Sequence, residues 1–232
     1  MSDNHLNRSS MKPKLKVCGM KYPDNMLAVA ALQPDYMGFI FYDRSPRYFE
    51  GEMPKLPGIK KTGVFVKAPV NDILVKVRQH HLQAVQLHGG ESAEFCRELA
   101  LALSGDTFQS KVELIKVFSM LDTFDFEQLK PFEDTADYFL FDTKGKLPGG
   151  NGYTFDWRVL KNYPSKKPFF LSGGIGPEEA DKVLAFLENQ PDNRGTDYCY
   201  AIDVNSRFEI EPGLKNTEKL KEFKSKISCQ HQ

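Results

Sequence analysis

The chain has 232 residues, and its 31 Lys plus Arg balance 31 Asp plus Glu to a formal net charge of zero. That length suits a single barrel domain, for which about 250 residues is usual. The missing basic excess argues against a nucleic-acid partner, and no apolar run reaches the roughly 18 residues that a membrane helix needs.

The first dozen residues, MSDNHLNRSSMK, are polar and lack the apolar stretch of a secretory leader. They are expected to form a flexible arm (1–12) ahead of one catalytic domain spanning 13–228. Short apolar runs then recur at Leu15–Cys18, Tyr36–Phe41, Thr62–Val66, Ala84–Leu87, Glu113–Phe118, Tyr138–Asp142, Phe169–Ser172 and Tyr200–Val204. Most are continuous rather than alternating, as expected for parallel strands covered on both faces. Amphipathic segments lie between them at Pro23–Leu32, Val70–Arg78, Glu91–Leu103 and Pro177–Leu187, and Leu214–Ile227 closes the chain. The helical signal is weak at Glu50–Leu56, which contains Pro54, and near Phe124–Lys130. Eight β and α alternations predict an α/β fold, a single (βα)8 TIM barrel. The rival, an open doubly wound sheet, would be favoured by a GxGxxG turn after the first strand, and none is present. The glycine-rich run Lys144–Tyr153 falls after the sixth strand and is read as a mobile active-site loop rather than a linker. Asn189–Thr196 precedes the eighth strand and is read as a structural surface loop.

Cys18, Cys96, Cys199 and Cys229 are scattered without a CxxC pair. Reduced thiols, a cytoplasmic location and no bound metal are expected.

In this fold the strand C-termini carry function. Gly173 and Gly174 follow the seventh strand just before a helix start, and Asn205 and Ser206 follow the eighth. Glycines let a backbone approach an anion closely, and a helix N-terminus adds free N–H groups, so a phosphate site is read here. The plainer reading is a pair of tight turns.

The segments KVCGM, GFIFYDRSPRY, GVFV, VQLHGGE, FLFDTKGKLPGGNGYTFDW, FFLSGGI and AIDVNSRFEIEPGLK run in order from Lys16 to Lys215. As a set they resemble the phosphoribosylanthranilate isomerases of tryptophan biosynthesis. The resemblance implies an Amadori rearrangement of N-(5-phosphoribosyl)anthranilate to 1-(2-carboxyphenylamino)-1-deoxyribulose 5-phosphate, with no redox cofactor or metal. The only partner implied is this small phosphosugar–anthranilate substrate, and no nucleic acid or membrane is expected. A monomer is expected, with a homodimer as the alternative. Ring opening needs a general acid at the ring oxygen, and the Schiff base that follows needs a base at the sugar C2. The family pattern makes Cys18 the base and Asp142 the acid. It places Arg47, within its SPR motif, against the anthranilate carboxylate, with Arg44 a weaker candidate.

Each of these residues has a bland reading as well: a small core thiol for Cys18, a loop or cap carboxylate for Asp142, a solvated arginine for Arg47. His88 is read as lining the pocket rather than binding metal, and Phe155 and Trp157 as core. Asp203 and Glu209 are read as structural or as orienting the phosphate loops. Whether Lys16 faces the Cys18 thiol is left open. One departure stands out: the family has glycine after the serine of the eighth loop, and here the run is Ser206-Arg207-Phe208-Glu209. If that position requires a positive φ, arginine is strained; otherwise Arg207 adds a cation to the phosphate site. The rivals are a metal-dependent pentose-phosphate epimerase, disfavoured because His88 is the lone histidine at the mouth, and a barrel that binds a phosphorylated ligand without turnover. A histidine-pathway aminoaldose is disfavoured because Lys67-Ala68-Pro69 stands where a second glycine pair would hold another phosphate.

Overall fold

The computed structural model describes residues 13–105, 108, 110–143, 155–189 and 199–228. Eight parallel strands close into a ring in sequence order: β1 (Lys14–Val17), β2 (Tyr36–Ile40), β3 (Lys60–Phe65), β4 (Ala84–Leu87), β5 (Glu113–Met120), β6 (Tyr138–Thr143), β7 (Phe169–Leu171) and β8 (Cys199–Val204). The ring is completed where β1 pairs with β8, Lys16 opposite Asp203 and Val17 opposite Val204. The (βα)8 barrel read from the sequence is the fold observed.

Five α-helices are described: α1 (Pro23–Ala30), α2 (Val70–His80), α3 (Ala93–Leu103), α4 (Ala180–Glu188) and α5 (Thr217–Ser228). Pro23 starts α1, where its missing N–H costs no hydrogen bond, and the Ser92 hydroxyl caps α3 by accepting the Phe95 N–H at 3.2 Å. Ser92 at the cap shortens the expected helix, so Glu91 lies outside it. The weak segments resolve differently. Phe126–Phe132 is a 3-10 turn containing Pro131, which cannot donate within a helix. Trp157–Asn162, between β6 and β7, is also a 3-10 turn where an α-helix was expected. Residues 41–59 form turns that bury Phe49 against Phe39 and Phe41. The expected closing helix Leu214–Ile227 is corrected at its start. Leu214–Lys215 is a strand, β10, paired antiparallel with β9 (Glu209–Glu211) around Gly213, whose φ is +90°. The run Lys144–Tyr153, most of Asn189–Thr196 and the arm 1–12 lie outside the described residues.

Alternation divides the strand side chains between two cores. Leu15, Val17, Met37, Phe39, Phe139, Phe141, Ile202 and Val204 pack outward under the helices. Tyr36, Ala84, Ile115, Val117, Leu140, Phe170 and Ala201 pack together although they come from six strands around the ring, which only the interior permits. Tyr36 and Tyr200, joined through their hydroxyls, and Glu113 with Lys60 close the N-terminal end. Polar side chains remain at the opposite mouth. No helix among the described residues is long and apolar enough to cross a membrane.

Candidate active site

Cys18 follows β1 directly and is buried against the backbone of Gly38; a Cβ at that glycine would lie 2.6 Å from Sγ. Residues 16 and 18 are two apart, so alternation puts both inside the barrel, which resolves the orientation of Lys16. The Lys16 ammonium is fully buried, donates to Asp203 Oδ1 at 2.8 Å and reaches the Cys18 thiol. Burial pushes the Lys16 ammonium down, but Asp203 and Cys18 outweigh it and hold it above its ordinary value. Burial pushes the Cys18 thiol up, Lys16 and Lys215 pull it back, and Asp203 adds to the push. The thiol therefore rests protonated near neutral pH, with two ammonium groups placed to receive the thiolate's charge.

Asp142, near the end of β6, lies across the mouth. Its Oδ2 is 3.2 Å from His88 Nε2, and His88 Nδ1 is 3.1 Å from Gln86 Nε2. With the Gln86 amide donating to Nδ1, the remaining ring N–H of His88 points at the Asp142 carboxylate. Gln86 is thus buried inside the barrel, and His88 is a mouth residue that touches Asp142. Asp203 joins the two sides. It accepts from Lys16 and from the Ser172 hydroxyl at 3.2 Å, and it feels the charge of Asp142. Burial pushes the Asp203 carboxyl up, and Lys16 opposes that push.

Arg47 and Arg44 separate cleanly. Arg44 is exposed, whereas Arg47 is nearly buried and meets Glu209 through Nε at 2.9 and 3.0 Å and Nη2 at 2.7 Å. Glu209 occupies one edge of the guanidinium, which leaves the Nη1–Nη2 edge for a ligand carboxylate. Gly19, with φ +75°, forms the floor between Arg47 and the phosphate side. A Cβ there would lie 2.8 Å from Arg47 Cδ and 2.6 Å from Asn205 Oδ1.

Gly173, Gly174, Asn205 and Ser206 lie at the same mouth of the barrel, in the loops after β7 and β8. Gly173 and Gly174 have φ of +90° and +72°, and Gly173 lies so close to Thr143 that a Cβ would be 2.3 Å from its backbone nitrogen. A side chain at Gly173 is excluded by both conformation and space. Asn205 follows β8, and Ser206 opens the 3-10 turn Ser206–Phe208. Arg207 is not among the residues of positive φ, so the anticipated strain does not arise. Its guanidinium pairs with Glu178 across the loop after β7. Phe155 and Trp157 are core, as read.

Two groups escaped the sequence reading. Glu91, just outside α3, accepts from the backbone N–H groups of Lys67 and Gly89 and from buried Lys116, tying the loops after β3 and β4 beneath His88. Lys215 was absorbed into the expected closing helix. Its buried ammonium donates to Asn205 Oδ1 and Glu209 Oε1, each at 2.7 Å, and burial lowers it to about 8 despite Glu209. The pair Pro212-Gly213 between two short apolar runs was the available signal for this hairpin.

A closed eight-stranded ring with its polar groups gathered at the strand C-termini defines a (βα)8-barrel enzyme acting on a small molecule at that mouth. The family model described as N-(5'phosphoribosyl)anthranilate (PRA) isomerase matches residues 15–226. The chain belongs to this family. It is 41% identical over 220 residues to the N-(5'-phosphoribosyl)anthranilate isomerase of Parabacteroides distasonis, covering 92% of each chain. The solved phosphoribosyl anthranilate isomerase of Thermotoga maritima superposes with a TM-score of 0.76 at 29% identity, over 93% of this chain and 98% of that one. A second isomerase structure, in complex with reduced 1-(o-carboxyphenylamino)-1-deoxyribulose 5-phosphate, gives 0.72 at 26% identity over the same shares.

Proposed function

We propose that this isomerase rearranges N-(5-phosphoribosyl)anthranilate to 1-(2-carboxyphenylamino)-1-deoxyribulose 5-phosphate, with Asp142 as general acid and Cys18 as general base. The observation that carries the assignment is the placement of a thiol beside a buried ammonium on β1 and a carboxyl on β6, three strands round the ring. Opposite faces of one sugar can meet both groups.

Asp142 gives a proton to the ring oxygen as the C1–O bond breaks and the anthranilate nitrogen's lone pair forms C1=N. Cys18 acts as its thiolate, its own proton having gone to solvent; the thiolate takes the C2 proton, the C2–H electrons form C1=C2, and the C=N electrons return to nitrogen. Ketonisation of the enolamine then removes the O2 proton and adds one at C1. His88, donating to Asp142, orients the acid. Lys16 stabilises the thiolate from which the base acts.

Arg47 holds the anthranilate carboxylate through its free edge. Gly173, Gly174, Asn205 and Ser206 form the phosphate cradle, and the solved complex with the reduced product supports a ligand of this class. Arg207 is paired with Glu178 beside the cradle.

The enzyme acts as a monomer. Among the described residues the large exposed apolar side chains Tyr22, Leu27, Val75, Leu101, Leu121 and Ile210 are distributed over α1 and its cap, α2, α3, the loop after β5 and β9, which supports this reading. Sedimentation equilibrium at micromolar concentration tests it, and a dimer mass overturns it.

Turnover of freshly generated phosphoribosylanthranilate, followed by loss of anthranilate fluorescence, tests the reaction in wild type and Cys18→Ala. Turnover in wild type with a loss of at least about 10²-fold in the variant is expected. An inactive wild type removes the reaction, and an active variant removes Cys18 from its role.

A further inference from the structure

The proposed pocket has an anthranilate end at Arg47 and a phosphate end at Asn205, contributed by loops after β2 and β8. One buried side chain lies behind both. Lys215 Nζ donates to Asn205 Oδ1 at 2.7 Å, to the Asn205 carbonyl at 3.3 Å and to Glu209 Oε1 at 2.7 Å. An ammonium has three protons, and these acceptors use all of them. Glu209 passes the contact on. Its carboxylate takes Arg47 Nε and Nη2 together and also the Gly213 N–H at 3.1 Å. The lysine itself is fixed from below, where Asn25 of α1 accepts its N–H at 2.7 Å and donates to its carbonyl at 2.9 Å.

We propose that Lys215 is a positioning residue that couples the two ends of the substrate site, setting Asn205 directly and Arg47 through Glu209. The inference rests on the assignment of those ends made above. Charge supports it: two cations, Arg47 and Lys215, share the single carboxylate of Glu209, so the buried group carries one net positive charge. An anionic ligand with acidic groups at both ends completes it. Arg47 and Asn205 both close on Gly19: a Cβ there would lie 2.8 Å from Arg47 Cδ and 2.6 Å from Asn205 Oδ1.

The test uses the whole enzyme, Lys215→Met and Glu209→Gln, with steady-state turnover and with anthranilate and inorganic phosphate as separate inhibitors. Coupling predicts a KM about 10-fold higher in Lys215→Met, with both inhibition constants raised and kcat changed less. Glu209→Gln moves the same quantities in the same direction. A merely structural lysine lowers the active fraction, hence apparent kcat and the melting temperature, and leaves KM alone. Unchanged KM and inhibition constants, or a change for one probe only, overturn the proposal. Should Lys215→Met fail to fold, Glu209→Gln keeps the side-chain shape and carries the same expectations. A wild type without turnover sinks the functional reading instead, and calorimetric binding of the two probes then still decides the coupling.

Discussion

Lys16 and Asp203 form a buried ion pair of 2.8 Å between strands at the two ends of the ring, and the ammonium of that pair also faces Cys18. The same cation thus pairs across the β1–β8 seam and lies against the Cys18 thiol. Removing one partner strands the other charge in the core, at about 3–5 kcal/mol. Lys16→Met and Asp203→Asn should each destabilise by that order in chemical denaturation. The double variant should recover much of the loss, because neither charge is left alone. Its activity should not recover, because the thiolate has lost its nearest cation. A double variant with wild-type kcat/KM would remove Lys16 from the chemistry.

Gly38 has no unusual φ, so alanine there is acceptable to the backbone of β2. The obstacle is the Cys18 sulfur, 2.6 Å from the added methyl. Gly38→Ala should cost only about 1–3 kcal/mol by overpacking. It should lower kcat by roughly 10²-fold by displacing the base. A folded Gly38→Ala enzyme with normal kcat would show that the position of the thiol is not critical.

Gly173→Ala meets a stricter limit. Its φ of +90° is unfavourable for any side chain, and the methyl would fall 2.2 Å from Thr143 Oγ1. We expect strain of at least about 1–3 kcal/mol in thermal unfolding, together with a raised KM and a weaker inhibition by inorganic phosphate. Unaltered phosphate inhibition in a folded variant would take the loop after β7 out of the anion site.

Stability should depend on pH through the Lys215 hairpin with two opposite signs. Burial pushes the Glu209 carboxyl up, but Arg47 and Lys215 outweigh it and hold it below the ordinary 4.5. Its contribution is present above that value and is lost as pH falls through the lower, folded one. Lys215 sits at about 8 against 10.5 when unfolded, so across that window the unfolded chain binds more protons and stability rises with pH. Urea denaturation of wild type and Lys215→Met at pH 7.5, 9 and 10.5 (about the window's ends and middle) measures this as a difference between the two proteins. A wild-type curve parallel to that of the variant would mean the buried ammonium does not titrate there.

What the sequence made legible was local. Eight apolar runs predicted the eight strands because buried parallel strands need little else. The orientation of Lys16 was left open, and only the closed ring shows its ammonium facing Cys18. The 3-10 turn at Phe126–Phe132 gave a weak helical signal because it is not an α-helix. The hairpin of Glu209 and Lys215 was hidden by the amphipathic pattern of α5, which begins two residues later. The rest is long-range. Lys16 meets Asp203 187 residues away and Arg47 meets Glu209 162 residues away, and no spacing rule links such pairs before the ring is closed.

That ring closure has a consequence for how activity is acquired. During synthesis the strand bearing the base emerges early, while Asp203, Asn205, Glu209 and Lys215 all emerge after seven of the eight strands. A nascent chain holding β1 to β7 therefore carries Cys18 and Asp142 yet lacks the counter-ion of Lys16, Asn205 and the Glu209 that holds Arg47. The complete mouth requires β8 and the hairpin that follows it. Regain of catalysis on refolding is accordingly a clock for docking of the C-terminal strand onto the N-terminal one, separate from the clock of secondary structure.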